Sequence, residues 1–279
     1  MRILVTNDDG ISAPGLWDLV RAVQPLGEVV VSAPDRDRSG VGAGLTLHSP
    51  LRIQNYASPV EGVAAHAVDG TPGDAAIMGI HEISDGPVDI VVSGFNSGNN
   101  LSADVLLSGT VGAALHGFTN GVSAIAFSVH HVSEAGSPLL ADLVRAMVTA
   151  TAAADAGKPA LLNINFPLLD AANCPYDQHD HSLTDAGPDG VIADVVETAL
   201  APRLMADRIV MEHRANRTMY WNTRESVWKP GDPVSEESDL GALLSRKVSV
   251  TPLGGLLEDG ASYPATPAVI AAARAVLRR

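Results

Sequence analysis

The stretch MRILVTNDDGISAPG (1–15) decides how the chain is read. Arg2–Thr6 is a short, β-branched apolar run, the pattern of a strand buried on both faces of a parallel sheet. It ends abruptly in Asn7-Asp8-Asp9-Gly10, a polar turn. Pro14 then suits the first position of a helix, where its missing N–H costs nothing. Leu16, Leu19, Val20 and Val23 repeat at helical spacing until Pro25 and Gly27 stop them. A buried strand, a polar end and a helix form the first unit of an α/β fold.

The same unit recurs outward from it. Glu28–Ala33 reads as a second strand ending in Asp35 to Gly40. Thr71-Pro72-Gly73-Asp74 has the form of a capping box and predicts a helix through about Ile83. Asp89–Ser93, Val122–Val129 and Ala160–Ile164 read as further strands, with helices expected from near Thr110 and over Pro138 to about Ala154. This alternation predicts a doubly wound, mostly parallel sheet with helices on both faces. After Pro167 the pattern weakens: 170–190 is polar and turn-rich, short strand-like pieces lie near 208–213, 218–222 and 247–252, and Ala268–Leu277 suits a terminal helix. The expected division is an α/β catalytic core over 1–170 and a loop-rich extension over 171–279, its last strand and helix packing back on the core.

Composition narrows the class. A length of 279 residues suffices for a large α/β domain without disulfide or metal staples. Eighteen Lys and Arg against 32 Asp and Glu give a net charge of −14, which argues against a nucleic-acid coat or an anionic-membrane binder. A small phosphate substrate stays compatible, because backbone N–H groups and a cation can hold it. The single cysteine, Cys174, precludes an internal disulfide framework and suits a reducing compartment. There is no apolar run of about 20 residues and no signal-peptide pattern at the start, so a cytoplasmic protein with no membrane partner is expected.

Ligands of open parallel sheets bind beyond the carboxyl ends of the strands. Three such ends here are NDDG (7–10), DRDRSG (35–40) and SGFNSGNN (93–100). Alone, Asp-Asp-Gly reads as a turn in which Asp9 caps the next helix. Three polar ends in one crevice favour another reading. Adjacent carboxylates on Asp8 and Asp9 raise each other's pKa unless a cation lies between them, and a hard ion such as Mg²⁺ or Mn²⁺ suits oxygen ligands. Asn96 and Ser39 can add neutral oxygens. Ser108-Gly109-Thr110 precedes a helix and offers N–H groups and two hydroxyls to an anion. Neither a Walker A loop nor a GxGxxG turn is present. The combination suits metal-assisted phosphoester hydrolysis by activated water, with Asp8 or Asp9 as base or nucleophile left open.

These motifs resemble the SurE family, the stationary-phase survival proteins that are metal-dependent 5′-nucleotidases. The resemblance runs through MRILVTNDDGISAPG (1–15), APDRDRSG (33–40), VDGTPGDA (68–75), SGFNSGNNLSADVLLSGTVGAA (93–114), LNINFP (162–167) and VSVTPL (248–253). It implies a Rossmann-like core and hydrolysis of nucleoside 5′-monophosphates, extending to 3′-nucleotides and short polyphosphate. It also implies one divalent cation per subunit, on Asp8, Asp9, Ser39 and Asn96. Phosphate contacts would fall on Gly40, Ser108, Gly109 and Thr110, with Asn7 beside them. Dimers or tetramers with an exchanged C-terminal hairpin are implied, here at about 215–245. Three positions depart from the family pattern. Ser97-Gly98-Asn99-Asn100-Leu101-Ser102 stands where His-Gly-Ala-Asn-Leu-Gly is usual, Leu107 where Tyr is usual, and Glu237-Ser238-Asp239 where Thr-Asp is preferred.

Weaker signals yield to plainer explanations. Cys174, His179, Asp180 and His181 lack the paired spacing of a zinc site and read as a solvated loop. His48, His116, His130 and His131 are candidate general acids, but a structural role suits each of them better. Trp221 and Trp228 suit packing better than base stacking. The rival function is a regulatory module that binds nucleotide or phosphate without turnover. Unneutralised Asp8 and Asp9 would repel that ligand.

Overall fold

The structure is a computed structural model that describes residues 1–129, 136–154, 158–168, 191–202, 204–214, 217–229, 231–254 and 265–278. Its frame is a nine-stranded sheet, in the order β3-β4-β2-β1-β5-β6-β7-β11-β8. The first half comprises β1 (Arg2–Thr6), β2 (Glu28–Pro34), β3 (Ile53–Asn55), β4 (Ala64–Val68), β5 (Ile90–Ser97), β6 (Ser123–Val129) and β7 (Leu161–Asn165). The later strands are β8 (Asp194–Glu197) and β11 (Lys247–Pro252). From β4 to β7 every neighbouring pair is parallel, whereas β3 lies antiparallel on β4 and β11 antiparallel on β7. A separate antiparallel hairpin joins β9 (Met205–Arg214) to β10 (Arg217–Ser226).

Strand alternation sorts the core into two layers. Ile3, Val5, Val29 and Val31 face α1 (Pro14–Val23), α4 (Pro138–Ala153) and α6 (Ala265–Leu277). Leu4, Val91 and Ala124 face the opposite layer, where α2 (Pro72–Met78) and α3 (Gly109–Thr119) lie. Both faces of β1 are therefore dry, as its continuous apolar run requires. Phe95, Phe127 and Phe166 form an aromatic group at the carboxyl ends of β5, β6 and β7, with ring centroids 6.0 to 6.3 Å apart. They give the loops above them a rigid floor.

The strand and helix expectations hold for the repeated unit, with ends moved by a few residues. Four elements were not anticipated: β3, β4, β8 and α5 (Asp239–Leu244). β3 has three residues at the sheet edge, β4 is the alanine-rich AAHAV, and α5 is a six-residue helix, all too short for a clear period. The position expected for the C-terminal hairpin, about 215–245, also needs correction. The hairpin spans 205–226 and α5 packs on β11, so only the second strand of the hairpin falls within that range. The alternation of its exposed strands is too irregular to mark where they begin.

The capping box at α2 is complete. Thr71 Oγ1 accepts the N–H of Asp74 at 3.0 Å, and Asp74 Oδ2 accepts that of Thr71 at 2.9 Å. The same carboxylate takes the N–H of Thr46, 3.1 Å from Oδ1, and so ties the 40–48 segment to the helix. Burial opposes the Asp74 charge, yet these bonds outweigh it and hold the carboxyl below its ordinary pKa. Its contribution is therefore complete above the unfolded pKa and is lost as the pH falls below it. Asp74→Ala leaves the part-buried N–H groups of Thr46 and Thr71 without their acceptor and is expected to cost about 2 kcal/mol at pH 7. Thermal melts should show a deficit of several degrees at neutral pH that narrows below pH 4.

Candidate active site at the strand switch point

β1 lies between β2 and β5, so the chain leaves its carboxyl end in one direction and returns from the other. A crevice opens at such a point. The turn after β1 is shaped by Asn7, whose Nδ2 donates to the Gly10 carbonyl at 3.1 Å. Gly10 takes φ +95°, and a Cβ there would lie 2.7 Å from the backbone carbon of Arg36. Glycine thus lets the first and second polar loops touch. Two backbone bonds fix the contact: Ile11 N–H to Pro34 O at 2.8 Å, and Arg38 N–H to Asp8 O at 2.8 Å.

Asp8 is buried at the start of α3. Thr110 Oγ1 donates a hydrogen bond to its Oδ1, and the Thr110 N–H also supports the carboxylate. Gly109 is required beside it, because a Cβ would come within 2.6 Å of Asp8 Cβ. Thr110 Oγ1 lies 3.3 Å from Asn96 Oδ1, which brings the third polar loop to the same place. A register shift between Ser93 and Asn96 in the pairing of β5 with β6 re-aims Asn96. Ser108 caps α3, its Oγ accepting the Val111 N–H at 3.1 Å.

Electrostatics mark the pair. Burial drives the Asp8 carboxyl upward, more than the Thr110 bonds lower it. Asp9 is pushed up to about 7, first by burial, then by the charges of Asp8 and Asp37, against one bond from the Ser97 N–H. Asp9 does not cap α1: the cap position is Ala13, with no side-chain bond. The plain turn reading therefore leaves a costly pair of acids unexplained.

Asp8, Asp9, Asn96, Ser108, Gly109 and Thr110 come together. Ser39 stands on the adjoining loop, its N–H and Oγ both bonded to Asp37 Oδ1 at 2.7 and 2.6 Å. Gly40 is exposed, with φ +80° and open space at its Cβ position. Asn7 is wholly buried, and its Oδ1 has no hydrogen-bond partner among the described residues. Among the described residues no three His, Cys, Asp or Glu side chains converge on a metal position. A cation here would rest on two carboxylates with amide and hydroxyl oxygens. That all-oxygen donor set, and the raised acids within it, fit a hard divalent ion.

Asp37 was not foreseen as part of this field, although its place in DRDRSG marks it. Asp239 and the asparagines of β7 were also missed as supports. Asn165 Oδ1 accepts the Asn100 N–H at 2.8 Å, and Asn163 Nδ2 donates to Asn100 O at 2.8 Å. His116 Nε2 contacts the Ala43 carbonyl at 3.0 Å, a structural role, and His48 is exposed. Trp221 donates to Glu212 on the hairpin, and Trp228 packs beside Leu101 and Leu240. His130, His131, Cys174, His179, Asp180 and His181 lie outside the described residues.

Comparison with known proteins identifies the family. The family model "Survival protein SurE" matches residues 3–188. A 5′-nucleotidase SurE of Dehalococcoides mccartyi is 36% identical over 258 residues, covering 91% of this chain and 88% of the relative. The 5′-nucleotidase SurE 1 of Thermus thermophilus is 38% identical over 260 residues, covering 91% of each. The crystal structure of the SurE protein from Aquifex aeolicus superposes with a TM-score of 0.68 at 30% identity, covering 93% of this chain and 95% of that one. With two thirds of its length matched by the family model and nine tenths of it aligned to relatives at 36–38% identity, the chain belongs to the SurE family.

Proposed function

We propose that the protein is a divalent-metal-dependent phosphomonoester hydrolase acting on nucleoside 5′-monophosphates, with 3′-nucleotides and short polyphosphate as further substrates. The observation that carries the reading is the buried Asp8 beside Asp9, set against the first turn of α3. A regulatory phosphate sensor has no use for two acids at its anion site. The relatives' shared name, 5′-nucleotidase, supports the substrate class.

In this reading Asp8, Asp9, Ser39 and Asn96 hold one divalent cation per subunit, Mg²⁺ or Mn²⁺. When bound, the cation supplies positive charge to the phosphoryl oxygens and makes water a stronger acid. The chain's own groups do the rest. Ser108, Gly109 and Thr110 present the positive end of α3 to the phosphate, with Asn7 and Gly40 bordering the crevice. Thr110 Oγ1, between Asp8 and Asn96, keeps these two oxygens in register. With the cation bound both carboxylates are ionised, and Asp8 or Asp9 is placed to act as base or nucleophile.

The division into a core over 1–170 and an extension over 171–279 is part of the proposal, as is a cytoplasmic location. No helix among the described residues is long and apolar enough to cross a membrane. The hairpin exposes Ile209, Met211, Tyr220 and Trp221, a surface that supports a homodimer or homotetramer.

Phosphate release is to be measured on 5′-nucleotides, 3′-nucleotides, polyphosphate and an aryl phosphate, with Mn²⁺, Mg²⁺ or EDTA. Turnover should require the ion and favour 5′-nucleotides; Asp9→Asn should lower it by about 10²-fold or more while the fold stays intact. Turnover that persists in EDTA and in the variant counts against the mechanism.

A second expectation concerns stability without metal. Because burial lifts the folded pKa of Asp9 to about 7, the folded state keeps a proton that the unfolded state loses near 3.8, and stability falls as the pH rises between the two. In EDTA, Asp9→Asn should therefore melt a few degrees above wild type at pH 8, with the gain shrinking toward pH 4. An equal or lower melting point at pH 8 would show that the pair is not under electrostatic strain.

A further inference from the structure

Asn96 and Thr110 bound a segment that belongs to the site at both ends, and its middle is held from far along the chain. Ser102 adopts φ +57°, the left-handed region that a side chain disfavours, and it is wholly buried. Its N–H donates to Asp239 Oδ2 at 2.8 Å, and its Oγ donates to Pro202 O at 2.6 Å. Asp239 is itself fully buried, and its Oδ1 takes the N–H groups of Ala201 and Leu240 at 2.8 and 2.7 Å. Beside this knot, Leu101 is buried against Ala201, Leu240 and Leu243. One turn on, Asp104 pairs with Arg224 of β10 at 2.9 Å. Asn100 is gripped from the other side by the asparagines of β7.

We propose that Asp239 is a positioning residue for the active site, clamping the strained Ser102 so that Asn96 and the start of α3 face Asp8 and Asp9 in register. The strain requires a clamp: without an acceptor for its N–H, a buried serine has no reason to stay at positive φ. The carboxylate meets that need because three N–H groups converge on its two oxygens. Asparagine cannot replace it. An amide turned to serve Ala201 and Leu240 through its one oxygen sets its NH₂ against the Ser102 N–H, so those two bonds and the Ser238 cap of α5 survive while the clamp opens. The extension thus completes the site without touching substrate. The inference rests on the site assignment above.

Asp239→Asn in the full chain separates the possibilities. Amide hydrogen exchange, read without metal, should accelerate by about tenfold or more over 98–108 while β1 and β5 stay protected. Mn²⁺ alone, titrated by its electron paramagnetic resonance signal, should bind several-fold more weakly, and kcat on an aryl phosphate should fall by about 10- to 100-fold with a smaller change in KM. Adding Ser102→Gly should recover most of the lost Mn²⁺ affinity, because glycine holds positive φ without a clamp. Wild-type exchange and Mn²⁺ affinity in Asp239→Asn would overturn the proposal. So would exchange accelerated equally across the sheet, or no recovery with glycine. A wild-type chain that neither binds Mn²⁺ nor turns over phosphate would defeat the site assignment, with the exchange experiment still deciding whether the clamp exists.

Discussion

Two carboxylates on successive residues, withdrawn from water at the end of a buried strand, are the constraint around which the rest of the molecule is arranged. Desolvation and mutual repulsion both oppose their ionisation. The fold tolerates the pair because it brings compensating groups to one point: the hydroxyl and N–H of Thr110, the N–H of Ser97 and the positive end of α3. That convergence needs glycine at 10 and 109, where any side chain would collide with Arg36 or Asp8. It also needs β1 at the switch point, which brings the turn after it face to face with the loop after β5. The acids thus explain the glycines, the loop contacts and the choice of strand together.

The repeated unit of the fold was legible because buried parallel strands and amphipathic helices write long, distinct patterns. RILVT, EVVVSA and the Leu16–Val23 spacing leave little alternative, and the capping box at Thr71 identified a helix start from four residues. Elements that lean on others were not legible. β4 is held in the sheet by pairing with β2 and β3, not by its own alanine-rich sequence. α5 exists because Ser238 caps it and Asp239 is fastened to a loop more than a hundred residues earlier. Short range cannot reveal such partners.

The site shows the same division. That Asp8, Asp9, Asn96 and Thr110 lie together was readable because polar residues at strand ends and before a helix have few structural uses in that density. What positions them was not readable. Asn163 and Asn165 look like ordinary strand residues, and Ser102 looks like a loop serine. Their importance appears only when the backbone brings Asn100 and Ser102 between β7 and the extension. The core and the late part of the chain are consequently one apparatus: β11 and β8 finish the sheet, and Asp239 finishes the loop that carries the donors.

The central claim is electrostatic, and a carboxylate titration followed by ¹³C NMR addresses it directly. With the protein stripped of metal, Asp9 should titrate near 7. In saturating Mg²⁺ the same resonance should move below the ordinary carboxylate range, because a divalent charge among the oxygens favours the ionised form. An Asp9 that titrates near 4 with and without the ion would contradict the account.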